Sequence, residues 1–203
     1  MKSSRKKIFF NNYAFYVSHD VYEPAEDTFL LAENLSVDEN DVVLDMGTGC
    51  GIIGILAAKK AREVVATDLN PLAVDLAKMN AKLSKAADKM DIRLGDLFQP
   101  IKHNERFSLI LFNAPYLPSN LHEEKTWIGR AWAGGPTGRQ LIDRFIAETP
   151  RYLREKGRIL LVQSSLSNIN KTLHKFREAE LKTRTLAEKK AMFETIVLIE
   201  AQK

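Results

Sequence analysis

Short apolar runs alternate with longer stretches of helical spacing along this chain, and that alternation admits few folds. The runs at residues 41–45, 63–68, 91–96, 107–112 and 158–163 read as strands. Their near-continuous apolar character suits strands covered on both faces of a parallel sheet. Between and after them, residues 52–60, 71–83, 141–153 and 166–176 carry apolar positions three and four apart and read as helices. Asn70 is a natural cap for the second of these, with Pro71 at its first position. Strand–helix alternation predicts an α/β, doubly wound, Rossmann-like sheet with helices on both faces. The tail departs from it: residues 181–186 and 195–199 read as two strands with no helix between them, an antiparallel pair ending a mostly parallel sheet. With 203 residues the chain suffices for one such domain. We expect it to span 1–203, with residues 1–35 as an N-terminal covering segment and helix and 36–203 as the core. Near the start, residues 8–10 and 13–17 flank Asn11-Asn12, a hairpin signal because Asn tolerates positive φ. A stacking surface for bases is the functional alternative there.

Composition narrows the function. No apolar run approaches the eighteen or so residues of a membrane span. The basic start, Met1 to Lys7, is followed by apolar residues broken at Asn11 and Asn12, which argues against a signal peptide. Cys50 is the single cysteine, which excludes an intramolecular disulfide and a cysteine-based zinc site. A cytoplasmic protein is expected. Thirty basic and 26 acidic residues give a formal charge of +4, a mild bias that is compatible with a partner near RNA without showing one. Residues 2–7 and 182–190 hold small basic clusters, read as solvated surface. His19, His103, His122 and His174 have no metal-ligand spacing, so no metal is assigned. Glu123 and Glu124 read as a solvated loop.

The turn Asp45-Met46-Gly47-Thr48-Gly49-Cys50-Gly51 joins the first core strand to the first long helix. Glycines such as Gly47 and Gly49 let the backbone turn tightly and approach a ligand with no Cβ in the way. Gly49 to Gly54 also spells the dinucleotide fingerprint, with Asp68 near the spacing of a ribose-binding acid. The glycines alone therefore do not separate NAD from S-adenosylmethionine. Asp45, at the end of the first strand, would repel a pyrophosphate and could pair with an ammonium group. Asp96, read as ending the third strand, can accept from an adenine amino group, and Asp68 would take the ribose hydroxyls. These acids favour S-adenosyl-L-methionine as the cofactor. Cys50 reads as a small residue near the ligand, not a reactive thiol.

The run at 107–112 leads into Asn113-Ala114-Pro115-Tyr116. An amide or aromatic amine nitrogen is a poor nucleophile because its lone pair is delocalised. The Asn113 side-chain carbonyl and the Ala114 backbone carbonyl are acceptors suited to grip such an NH2 group. Their hydrogen bonds would strengthen as charge develops, which is catalysis by differential binding. Pro115 fixes φ, offers no competing N–H and biases Ala114 toward an extended shape. Tyr116 can cover the flat face of the group. The pattern reads as an N-methyltransferase site in which no general base is needed before transfer.

Three segments carry a family likeness: Val21-Tyr22-Glu23-Pro24-Ala25-Glu26-Asp27-Thr28-Phe29-Leu30-Leu31, the Asn-Ala-Pro-Tyr corner, and Ala131-Trp132-Ala133-Gly134-Gly135 with Gly138-Arg139. The chain resembles the HemK-like class I methyltransferases, and most of all their eukaryotic and archaeal HemK2-type branch. The resemblance implies N5-methylation of the glutamine in a Gly-Gly-Gln motif of a class I peptide chain release factor. It implies cofactor contacts from Thr28, Asp45, Gly47, Asp68, Asp96, Leu97 and Asn113, with Trp132 in the wall around the substrate. It also implies a small zinc-binding activator protein as partner, and a seven-stranded sheet with an antiparallel last strand. The family pattern is usually Asn-Pro-Pro-Tyr. Here Ala114 stands for the first proline, so Asn113 loses the restraint a following proline imposes. An adenine-N6 methyltransferase acting on DNA or RNA is the second reading, since the same corner serves that chemistry. A non-catalytic nucleotide-binding domain and an NAD oxidoreductase rank below it.

Overall fold

The computed structural model describes residues 5–203; Lys2, in the first basic cluster, lies outside them. Among the described residues, seven strands form one sheet: β3 (Val42–Met46), β4 (Glu63–Asp68), β5 (Met90–Leu94), β6 (Phe107–Asn113), β7 (Leu153–Ser164), β8 (Lys182–Lys190) and β9 (Thr195–Gln202). Their order is β5-β4-β3-β6-β7-β9-β8. β3 pairs in parallel with β4 and β6, and β6 with β7; β9 runs antiparallel to both β7 and β8. The helices are α1 (Glu26–Glu33), α2 (Ile52–Ala58), α3 (Pro71–Leu83), the short α4 (Trp127–Arg130), α5 (Gln140–Glu148) and α6 (Ile169–Glu178).

From β3 the chain passes through α2 to β4 on one side. From β6 it passes through α5 to β7 on the other. Crossovers of one hand in opposite directions place the two helices on opposite faces, giving three layers. α1, α2 and α3 pack in series, and α5 packs on α6. The direction reverses between β3 and β6, so a crevice opens at their carboxyl ends. Met46 lies opposite Phe112 in the register, which sets the glycine turn beside Asn113. Phe112 lines the crevice and is backed by a row of rings: it packs on Phe145 with centroids 4.8 Å apart, Phe145 on Phe98 at 5.7 Å, and Phe98 on Tyr152 at 4.7 Å.

Several boundaries differ from those read in the sequence. The helix expected over 141–153 ends at Glu148, because Pro150 follows and cannot donate the next helical hydrogen bond. Leu153 already belongs to β7, which therefore starts well before the expected 158. The helix expected from 166 begins at Ile169: Asn168 sits in the left-handed region at φ 57° and its side chain accepts from the Lys171 backbone N–H. β5 stops at Leu94, so Asp96 does not end a strand. It lies in the turn beyond, where Gly95 donates to the Asp68 carbonyl at 2.9 Å.

The N-terminal hairpin forms from β1 (Arg5–Phe10) and β2 (Tyr13–Ser18), with Asn11 at φ 49°. It is a cover. Fully buried Asn80 of α3 accepts from the Tyr16 N–H at 2.9 Å and donates to the carbonyls of Tyr16 and Cys50 at 2.8 Å. Phe15 is buried and Phe10 stacks on Phe29 at 5.3 Å, so these two rings serve packing, while Phe9 is exposed. β8 forms the sheet edge, where Lys182, Arg184, Lys189 and Lys190 blunt it against pairing with another strand.

Candidate active site

The crevice at the β3/β6 switch point holds a cavity of about 460 Å³, within the range of a small-molecule site. Asp45, Gly47, Gly49, Asp68, Asp96, Leu97, Asn113, Ala114, Pro115, Tyr116, Thr28 and Trp132 all line it. Every site residue named from the sequence therefore converges on one place.

Two carboxylates hold the glycine loop in shape. Oδ2 of buried Asp45 accepts from Thr48 Oγ1 at 2.6 Å and from the Gly54 N–H at 2.9 Å. A Cβ on Gly54 would lie 2.8 Å from that same oxygen, so Gly54 is needed for α2 to approach β3. Asp45 is thus first a loop anchor. Burial raises its carboxyl to about 7, against the pull of Thr48 and Gly54. Asp68, the last residue of β4, accepts from the Gly49 N–H and the Asn70 N–H, both at 2.8 Å. Burial raises its carboxyl above the usual range, with those N–H groups opposing. Gly49 has φ 56°, and a Cβ there would meet nothing within 4 Å: the space beside it is open for a ligand. Cys50 is buried, and burial pushes its thiol up to about 12, so it is inert.

Asp96 faces the cavity from its turn but also pairs through Oδ2 with Arg144 at 2.7 Å. Buried Leu97 sits at φ 47°. A branched residue in that region is strained, and such strain clusters at ligand sites.

Asn113 ends β6. Its Nδ2 donates to Thr28 Oγ1 at 3.2 Å, while its Oδ1 is buried with no hydrogen-bond partner. An unsatisfied buried carbonyl is costly and calls for an explanation. Thr28 thus meets the corner itself as well as lining the cofactor side. Tyr116 does not stand free over the cavity: its hydroxyl donates to Asp27 Oδ2 at 3.1 Å, and so does that of Tyr22. The wall carrying Trp132 is zipped along the corner. The Leu117 N–H donates to the Trp132 carbonyl at 3.0 Å, and the Gly134 N–H to the Leu117 carbonyl at 2.8 Å. Gly138, at φ 70°, lets the chain pass so close that a Cβ would lie 2.2 Å from the Tyr116 carbonyl. Buried Arg139 is structural: it donates to the Asn168 carbonyl, to Thr172 Oγ1 and to Asp143 Oδ1.

Sequence reasoning gave no role to Asp27, Tyr22 or Trp127. Trp127 starts α4, lines the cavity and carries the Arg130 guanidinium 5.1 Å over its ring. Only the segment 21–31 that carries the family likeness contained the first two, without giving them a role.

A seven-stranded sheet with one reversed strand, a glycine loop at the switch point and an Asn-x-Pro-Tyr corner on the neighbouring strand define a class I methyltransferase. Residues 17–194 match the methyltransferase small domain. Over 184 residues the chain is 41% identical to a candidate protein N5-glutamine methyltransferase from Methanocaldococcus jannaschii, covering 90% of this chain and 91% of that one. It is 30% identical to human methyltransferase HEMK2 over 195 residues, 91% of this chain and 90% of the other. Among solved structures it is similar to the E. cuniculi Mtq2–Trm112 complex, responsible for methylation of the eRF1 translation termination factor. That likeness has TM-score 0.71 and 29% identity, covering 91% of this chain and 99% of the other. The chain belongs to the methyltransferase small domain family, in its HemK2-type branch.

Proposed function

We propose that this protein methylates the N5 nitrogen of the glutamine in the Gly-Gly-Gln motif of a peptide chain release factor, with S-adenosylmethionine as methyl donor. The observation that carries this reading is Oδ1 of Asn113, a buried acceptor without a partner at the end of the strand beside the glycine loop. A planar NH2 group would satisfy it. The Ala114 carbonyl, aimed by Pro115, is the second acceptor for the same group. Two acceptors on one NH2 favour the pyramidal nitrogen and gain strength as it becomes cationic, so they lower the barrier without a base. The surplus proton leaves the product nitrogen afterwards.

The residues present fit the cofactor. Open space beside Gly49 admits it, Asp68 has the carboxylate for a ribose, and Asp45 and Asp96 add acceptors at either side. When bound, S-adenosylmethionine supplies an electrophilic methyl group on a sulfonium. Thr28, Asp45, Gly47, Gly49, Asp68, Asp96, Leu97 and Asn113 would hold it, with Tyr116 and Trp132 shaping the substrate side. The chain is read as one unit, with the described part of the segment 1–35, residues 5–35, covering the core. A small activator protein works with it, which the solved complex of a relative with Trm112 supports; that it binds zinc is what the family resemblance implies. A release-factor substrate implies the cytoplasm; no helix among the described residues is long and apolar enough to cross a membrane.

The test is methyl transfer from labelled S-adenosylmethionine to recombinant release factor, its Gly-Gly-Gln glutamine variant, duplex DNA and transfer RNA, with and without the activator. Label on the release factor that vanishes in the glutamine variant is expected. Label on nucleic acid alone would replace this reading with adenine-N6 chemistry.

A further inference from the structure

Asp27 lies in the first turn of α1 and is buried, 4% exposed. An acid there ordinarily complements the helix dipole. Its contacts go further. Oδ1 accepts from the Thr28 N–H at 2.6 Å and the Thr28 hydroxyl at 3.2 Å. Oδ2 accepts from the hydroxyls of Tyr22 and Tyr116, each at 3.1 Å. All four partners are donors, as an acceptor-only carboxylate requires. Burial, and next the Asp27 charge, push both phenols up, so both remain donors.

A hydroxyl has one proton. That of Thr28 is directed at Asp27, so toward Asn113 the hydroxyl only accepts. Asn113 then turns its NH2 to Thr28, and its Oδ1 is the atom left unpaired. We infer that Asp27 is a positioning residue that fixes the direction of this hydrogen-bond chain, so that Asn113 presents an acceptor, and not a donor, to the substrate. The inference rests on the glutamine reading above and deepens it: the device selects a side chain ending in NH2 over an isosteric carboxylate.

The test compares peptides containing Gly-Gly-Gln and Gly-Gly-Glu for binding to the protein saturated with S-adenosylhomocysteine. Wild type is expected to favour the glutamine peptide by about tenfold or more, since the glutamate leaves two acceptors facing each other. Asp27→Leu removes the acceptor and frees the Thr28 hydroxyl to donate to Oδ1 of Asn113 and so reverse it. The preference is then expected to fall to within about threefold. Thr28→Ser should keep it and Thr28→Val should lose it; should Asp27→Leu not fold, the isosteric Thr28→Val carries the test. A structural role alone would weaken both peptides equally and leave the ratio at its wild-type value, which overturns the inference.

A second readout needs no peptide. Hydrogen exchange of the Asn113 side-chain amide, assigned by its loss in Asn113→Ala, should be slow in wild type and Thr28→Ser and fast in the other two variants. If neither peptide binds or is methylated, the glutamine reading fails. This exchange then decides the role of Asp27 alone, and equal exchange in wild type and Asp27→Leu refutes it.

Discussion

The backbone N–H of Gly49 donates to Oδ2 of Asp68 across 2.8 Å, so the acid that ends β4 also holds the glycine loop that follows β3. Asp68 therefore has two tasks, and its loss should show twice. Asp68→Ala is expected to weaken S-adenosylmethionine binding by about 10- to 100-fold, the scale of a lost charge-assisted pair of hydrogen bonds. It should also lower stability by about 1–3 kcal/mol, because the Gly49 and Asn70 N–H groups lose their acceptor. Calorimetric titration and thermal unfolding read the two effects; unchanged affinity would refute the ribose role.

Asp45 sets a pH dependence. With its carboxyl raised to about 7 by burial, it is neutral in mildly acidic solution and charged above. A cationic ligand favours the charged form. Affinity for S-adenosylmethionine should thus rise with pH through about 7 and level off, and binding near that pH should release protons. Asp45→Asn should flatten the dependence. Its effect on stability has the opposite slope: a carboxyl raised in the folded state stabilises at low pH, and that contribution is lost as pH rises through about 7. Titrations in buffers of different ionisation enthalpy check the proton release.

Two glycines in the site separate strain from space. Gly49→Ala puts a side chain at φ 56° with nothing in its way, so stability should fall by only about 1–2 kcal/mol while cofactor affinity drops, since the methyl enters the ligand's space. Gly138→Ala adds a 2.2 Å clash with the Tyr116 carbonyl at φ 70°. It should cost more than about 2 kcal/mol and impair transfer by displacing the corner, with less effect on cofactor binding. Unfolding midpoints and calorimetry on the two variants distinguish these patterns.

Local chemistry was readable wherever the chain carries its own instructions. α3 runs over residues 71–83 as expected because Pro71 opens it and Asn70 caps it, accepting from the Leu72 N–H at 2.9 Å. The hairpin formed around Asn11, and the last two strands paired antiparallel, for equally local reasons. The glycine loop and the Asn-Ala-Pro-Tyr corner declared themselves by residue type next to apolar strands. What escaped was long-range. Asp27 meets Tyr116 across 89 positions, and Thr28 meets Asn113 across 85; periodicity says nothing about such pairs. Thr28 entered only through the family resemblance. Helix ends near Pro150 and Asn168 slipped because apolar spacing continued past the residue that broke the backbone pattern.

The most direct test of the account is single-turnover methyl transfer to a Gly-Gly-Gln release factor by wild type and Asn113→Ala, run beside cofactor titrations of both. The unpaired Oδ1 of Asn113 is held to grip the substrate NH2, so the variant should transfer at least roughly 100-fold more slowly while binding S-adenosylmethionine within a few-fold of wild type. Transfer at the wild-type rate by Asn113→Ala would contradict the account.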